Sequence, residues 1–171
     1  MHGYFTPGEF WGYVEELQRE YPRYISPKFS IGNTYEKRSI HAFYMGNDMQ
    51  EPQEYSKRSI ILFTGVHHAR EPLAVSMIVN MVGQLLYKLV HKDKKSNDLF
   101  SDVIILFVPI VNLDTYSLIS EKFYANEWQT YKELRKSRRK ISECRPLDYG
   151  VDLNRNYDSK FAHDDIGSSN N

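Results

Sequence analysis

Apolar and polar positions alternate with different periods along this chain, and the period marks the elements. Between Thr6 and Tyr21 the residues Phe10, Tyr13, Val14 and Leu17 fall near helical spacing. Pro7 sits in the first turn, where an N–H has no partner to lose, and Pro22 ends the run. "KFSIG" and "SIHAFYMG" alternate in period two around the turn "NTYEKR", which predicts a hairpin. "SIILFTG", Ser59 to Gly65, is a continuous apolar run and predicts a strand buried on both faces. Pro72 suits the first position of a helix in which Leu73, Met77, Met81, Val82, Leu85, Leu86 and Leu89 recur at helical spacing. That helix runs into "HKDKK", where cations complement the carboxyl end of the macrodipole. "VIILFVP", Val103 to Pro109, predicts a second buried strand.

Strand, helix and strand in this order form a βαβ unit with parallel strands. The loops after parallel strands share one edge of the sheet, which is where ligands of open α/β sheets bind. "HHARE" and "IVNLD" are therefore expected side by side. The remainder is more polar. It predicts a helix from about Ala125 to Lys140, then carries "GVDLNRNY" and a tail, "HDDIGSSNN", with no element that could close a domain. No repeat, low-complexity tract or linker divides the chain.

Composition narrows the classes. At 171 residues, 41% hydrophobic and 26% charged, the chain fits one globular domain or part of one. Thirteen Tyr and nine Phe favour a packed core over disorder. A formal net charge of zero gives no global field toward nucleic acid or an anionic membrane. No uninterrupted apolar run approaches the roughly 20 residues of a bilayer span. "MHGYFTPGEF" lacks the basic and apolar segments of a signal peptide. Cys144 is the single cysteine, so no internal disulfide forms and the redox compartment stays open.

The chemistry concentrates in "TGVHHAREPLA". His68 and Glu71 are spaced H-x-x-E, and imidazole nitrogen and carboxylate oxygen both suit zinc. Pro72 disfavours helical geometry at Glu71, so the pair belongs to a turn that can aim both side chains at one point. Arg70, between them, can hold an anion. Alone, this spacing also fits an ordinary polar turn at a strand end. "GVDLNRNY" adds Asp152, Asn154 and Arg155. The arginine fork can bind a carboxylate in bidentate fashion with an amide beside it, although an inert surface turn has the same composition.

Together "GVHHAREP", "VPIVNLDTY", "LRKSRR" and "GVDLNRNY" resemble the zinc metallocarboxypeptidases of the pancreatic carboxypeptidase A and B type, the M14 family. The order and approximate spacing agree, and the likeness covers nearly the whole chain. The family usually reads P-x-x-N-P-D-G-Y at the second motif, so "VNLDTY" departs by replacing the Pro and the Gly. The resemblance implies an α/β fold with a mixed sheet flanked by helices, carboxypeptidase-like within the phosphorylase/hydrolase-like class. It implies that residues 1–171 are the N-terminal part of one peptidase domain, incomplete on its C-terminal side.

The resemblance also implies roles. His68 and Glu71 are expected to ligate Zn2+, and His67 is not. Arg70 holds the substrate near the metal, Arg135 stabilises the oxyanion, and Asn154 with Arg155 grips the terminal carboxylate of a peptide or protein. Asp152 orients a zinc ligand. The family's third metal ligand, its general base and its mobile tyrosine have no match here, so the expectation is a carboxypeptidase whose 171-residue chain is inactive alone. A second chain or a missing C-terminal half would complete the domain. By analogy with the family the compartment is secreted or extracytoplasmic. Two other zinc-site readings are a non-catalytic peptide-binding or scaffold relative, and a hydrolase of small acylated amino acids, whose kind generally lacks "GVDLNRNY" in this setting. Nucleic-acid binding through "RKSRRK" is disfavoured by the neutral charge, and neither nucleic acid nor membrane is expected as a partner. His91 reads as a helix-end residue and His163 as a surface one.

Overall fold

The computed structural model describes residues 4–50, 55, 57–125, 153–155, 157 and 158. The first helix, α1 (Pro7–Glu20), begins where the sequence predicts. The Thr6 hydroxyl accepts the Glu9 N–H at 3.1 Å while the Glu9 carboxylate accepts the Thr6 N–H at 2.8 Å, a reciprocal capping box. Phe10 and Val14 form its buried stripe.

Strands β1 (Phe29–Asn33) and β2 (Ser39–Met45) make the expected hairpin. Strands β3 (Ser59–Thr64) and β4 (Val103–Val108) run parallel, in register from Ser59–Val103 to Thr64–Val108. Because β4 also pairs antiparallel with β2, the sheet is mixed, in the order β1-β2-β4-β3. Phe43, Phe107 and Phe63 stand opposite one another on β2, β4 and β3, and their rings stack at 5.0 and 5.7 Å. Such cross-strand rows fix register, and Trp11 of α1 closes the row edge-on against Phe43.

Helix α2 (Leu73–Val90) is long and apolar enough to cross a bilayer by length and composition alone. Its face Val75, Ile78, Val82, Leu86 and Leu89 is instead buried in the core cluster. Pro72 occupies the cap position just before the helix, and Leu73 and Met77 are exposed, so the core-facing stripe is rotated from the predicted one. The "HKDKK" segment is a break. His91 caps α2, its Nδ1 2.8 Å from the Tyr87 carbonyl oxygen. The Asp93 carboxylate accepts the Ser96 N–H to start a short helix, α3 (Lys94–Asp102). A further helix, α4 (Leu113–Ala125), starts 12 residues before the predicted one. The predicted span to Lys140 lies outside the described residues except for Ala125.

One expectation is overturned. Strand β3 is not buried on both faces: all six of its residues are exposed, Leu62 by 57%. Among the described residues it is an edge strand bonded to β4 alone. An apolar run reads the same whether or not the sheet continues beyond it.

The hairpin turn is tied to α4 by one carboxylate. Asp114 Oδ1 accepts the Thr34 hydroxyl and an Arg38 guanidinium N–H, both at 2.7 Å, and Oδ2 accepts the Glu36 N–H at 3.1 Å. Burial pushes the Asp114 carboxyl up, and the bonds from Thr34, Arg38 and Glu36 outweigh it, leaving the group below the usual carboxylate range. A carboxyl depressed in the fold stabilises it above the unfolded value and loses that contribution as pH falls through the folded value.

Asp114→Ala is expected to cost about 1–3 kcal/mol at neutral pH, as for other hydrogen-bonded charges, measured by urea unfolding. The gap to the parent should shrink below about pH 4, where an unfolded-state aspartate protonates. Leu62→Lys, an edge-blocking charge, should raise the soluble concentration seen by sedimentation and change stability by less than about 0.5 kcal/mol.

Candidate metal and carboxylate site

The site is built on the ends of the parallel strands. Past Thr64 and Val108 the two segments stay bonded. Gly65 N–H donates to the Val108 carbonyl at 3.0 Å, Val111 N–H to Gly65 at 3.0 Å, and Asn112 N–H to Val66 at 2.9 Å. The Asn112 amide also donates to the His67 carbonyl at 3.2 Å. "HHARE" and "IVNLD" are thus neighbours, as the βαβ reading requires. A Cβ on Gly65 would stand 2.5 Å from the Pro109 carbonyl oxygen, so only glycine permits this approach. Val66 has φ 49° and is 2% exposed. A β-branched residue in the left-handed region is strained by about 1–3 kcal/mol, held here by burial and by the bond to Asn112.

After Val66 the chain turns through residues 67–72, and the Glu71 N–H closes the turn on the His68 carbonyl at 3.0 Å. His68 Nδ1 lies 3.3 Å from each Glu71 carboxylate oxygen. The imidazole is largely buried, 13% exposed, and the carboxylate is open, 56% exposed. A nitrogen donor and an oxygen donor converge on the solvent side of a fixed turn, the donor chemistry that suits zinc. No group of three or more His, Cys, Asp or Glu converges among the described residues. The two donors fit part of a zinc site. Arg70 is exposed, its Nε 3.9 Å from Glu71 Oε1.

Leu153–Arg155 form a single 3-10 turn, with Asn154 exposed. Tyr157 follows, and its hydroxyl lies 2.6 Å from His67 Nε2, with the two rings 5.8 Å apart. Tyr157, the last residue of "GVDLNRNY", therefore meets the H-x-x-E turn. Arg135, Asp152, Cys144 and His163 lie outside the described residues.

Sequence reasoning assigned nothing to Tyr157, Val66 or Asn112. Only Asn112 left a signal: its Oδ1 accepts the Thr115 N–H at 3.4 Å, which makes it the N-cap of α4. The departure "VNLDTY" is accommodated. Leu113 takes the first helical position, where proline is favoured but not required, and Tyr116 is buried with its hydroxyl on the Phe5 carbonyl at 2.5 Å.

Comparison with known proteins bears on the family and the fold. The family described as Zinc carboxypeptidase (Peptidase_M14) matches residues 12–171. Carboxypeptidase B2 of Bos taurus is 26% identical over 157 residues, covering 92% of this chain and 33% of its own length. The protein named Inactive metallocarboxypeptidase ECM14 of Uncinocarpus reesii is 32% identical over 143 residues, covering 82% of this chain and 22% of its own length. Among solved structures, thrombin activatable fibrinolysis inhibitor superposes with a TM-score of 0.66 at 22% identity, over 92% of this chain and 35% of that one. Carboxypeptidase A from Helicoverpa armigera gives a TM-score of 0.61 at 21% identity, over 90% of this chain and 34% of that one. The chain thus spans about a third or less of the length of these relatives. The shared fold places the described sheet as an incomplete carboxypeptidase-like domain.

Gly65→Ala must displace the Pro109 carbonyl or the H-x-x-E turn. It is expected to lower stability by about 1–3 kcal/mol in thermal unfolding, with faster amide exchange confined to residues 65–71 and 109–112.

Proposed function

Because this chain belongs to the zinc carboxypeptidase family, we propose that it is the N-terminal part of one peptidase domain that removes the last residue of a peptide or protein. The observation that carries the reading is the convergence of His68 Nδ1 and the Glu71 carboxylate at the parallel edge of the sheet. These two residues would hold Zn2+. When bound, the ion supplies Lewis-acid polarisation of a carbonyl and acidifies water.

The chain's own residues supply the selection. Asn154 and Arg155 sit in a turn just before Tyr157, whose hydroxyl reaches His67 beside the H-x-x-E pair, and an amide with a guanidinium grips a free carboxylate. Only a chain end carries that group, so the grip restricts cleavage to the final bond. Arg70 holds the substrate close to His68 and Glu71. Arg135 would stabilise negative charge that develops on the substrate oxygen, a contact that matters only as the bond breaks. Asp152 would orient a metal-binding imidazole. With two ligands in hand the 171-residue chain binds zinc weakly and turns over poorly by itself, and the rest of the domain, on the same chain or another, completes the set.

A second reading, a non-catalytic peptide-binding relative, is favoured by one specific observation. Several relatives at 31–32% identity carry the name Inactive metallocarboxypeptidase. The two readings share the carboxylate grip and differ in chemistry.

Full-length protein incubated with zinc and a peptide should release one C-terminal residue, followed by mass spectrometry, and leave the C-terminal amide intact. Arg155→Ala should lower kcat/KM by about 100-fold or more, since it strips a charged hydrogen-bonding partner from a desolvated carboxylate. Binding of the free-acid peptide without release supports the second reading. In calorimetry Glu71→Gln should weaken zinc by about tenfold or more.

A further inference from the structure

The His67–Tyr157 contact has no place in the reading above. The ring nitrogen and the phenol are 2.6 Å apart across 90 residues of sequence. His67 stands next to His68 in the metal-binding turn, and Tyr157 stands two residues after Arg155. The main chain at His67 is already fixed, because its carbonyl accepts the Asn112 amide and Val66 before it is bonded to Asn112. The Leu153–Arg155 turn, in contrast, is a single 3-10 turn with Asn154 exposed. A short turn of that kind holds its direction poorly without an external tie.

The geometry points to His67 and Tyr157 as positioning residues: their hydrogen bond is a strut that sets the carboxylate-binding turn at a fixed span from the His68–Glu71 pair. The strut rests on the carboxypeptidase reading, and it deepens that reading by saying what measures the distance between the scissile carbonyl and the terminal carboxylate. Neither side chain need touch the substrate. A rigid span lowers the entropy lost when a peptide end is held at both points. Selection follows for substrates in which the backbone nitrogen and Cα of a single α-amino acid residue separate the scissile carbonyl from the terminal carboxylate. A residue with one extra backbone methylene before its carboxylate fits the span less well.

The test uses the full 171-residue chain, zinc, and a fluorescein-labelled hexapeptide ending in a free carboxylate, alongside its C-terminal amide. Tyr157→Phe removes only the hydroxyl and His67→Leu only the hydrogen-bonding ring. Each should weaken the free-acid peptide about fivefold, the scale of one hydrogen bond. The double variant should be no weaker than either single, while zinc affinity stays within twofold. His67→Gln keeps an amide near the Nε2 position and should restore at least half of the loss in log affinity. Independently of any ligand, Tyr157→Phe should speed amide exchange at residues 153–157 and leave α2 unchanged. Additive losses, unchanged exchange at 153–157, or failure of His67→Gln to rescue would overturn the strut. If the parent chain binds acid and amide equally, the carboxylate grip assigned to Asn154 and Arg155 fails instead, and the exchange experiment still decides the strut.

Discussion

Everything in this molecule depends on β4 holding two strands of opposite sense, and on that pairing running past the strand ends. β2 lies antiparallel on one side of β4 and β3 parallel on the other. The last three bonds of the β3–β4 seam join Gly65 to Val108, Val111 to Gly65 and Asn112 to Val66, and of these residues only Val108 still belongs to a strand. Backbone hydrogen bonds are obligatory where water is excluded. The seam therefore cannot slip by one residue without orphaning them, and the turn that carries His68 and Glu71 inherits its position from the sheet.

Two polar ties then convert a sheet edge into a site. Asp114 anchors the β1–β2 turn to the start of α4, and Asn112 caps the same helix while holding the His67 carbonyl. The "VNLDTY" segment thus spends its polar residues on scaffolding. That scaffolding holds the exposed carboxylate of Glu71 beside the largely buried imidazole of His68.

Much of this was legible in the sequence. The span of α1, the hairpin, the parallel pair and the proximity of "HHARE" to "IVNLD" follow from period, turn chemistry and the parallel sense of βαβ strands, whereas the capping box of α1 was not read. The convergence of His68 and Glu71 followed from Pro72 keeping Glu71 out of a helix. The exposure of β3 was not legible, since apolarity records what a strand is suited to meet and not what lies beside it. The start of α4 was missed because its cap is a single asparagine, Asn112, behind an unremarkable Val111. The tie between His67 and Tyr157 had no signature at all: a histidine and a tyrosine 90 residues apart are joined only by the fold. Asp114 looked like part of a family motif, and only the three donors reaching it from residues 34–38 show what it does.

The left-handed Val66 carries an evolutionary consequence. Its backbone would relax with glycine or asparagine, while its side chain, 2% exposed, fills space that neither would fill as well. Backbone comfort and volume pull in opposite directions at one codon. Neutral drift there should be slow, and replacements should arrive together with compensating enlargements among the neighbours that enclose it.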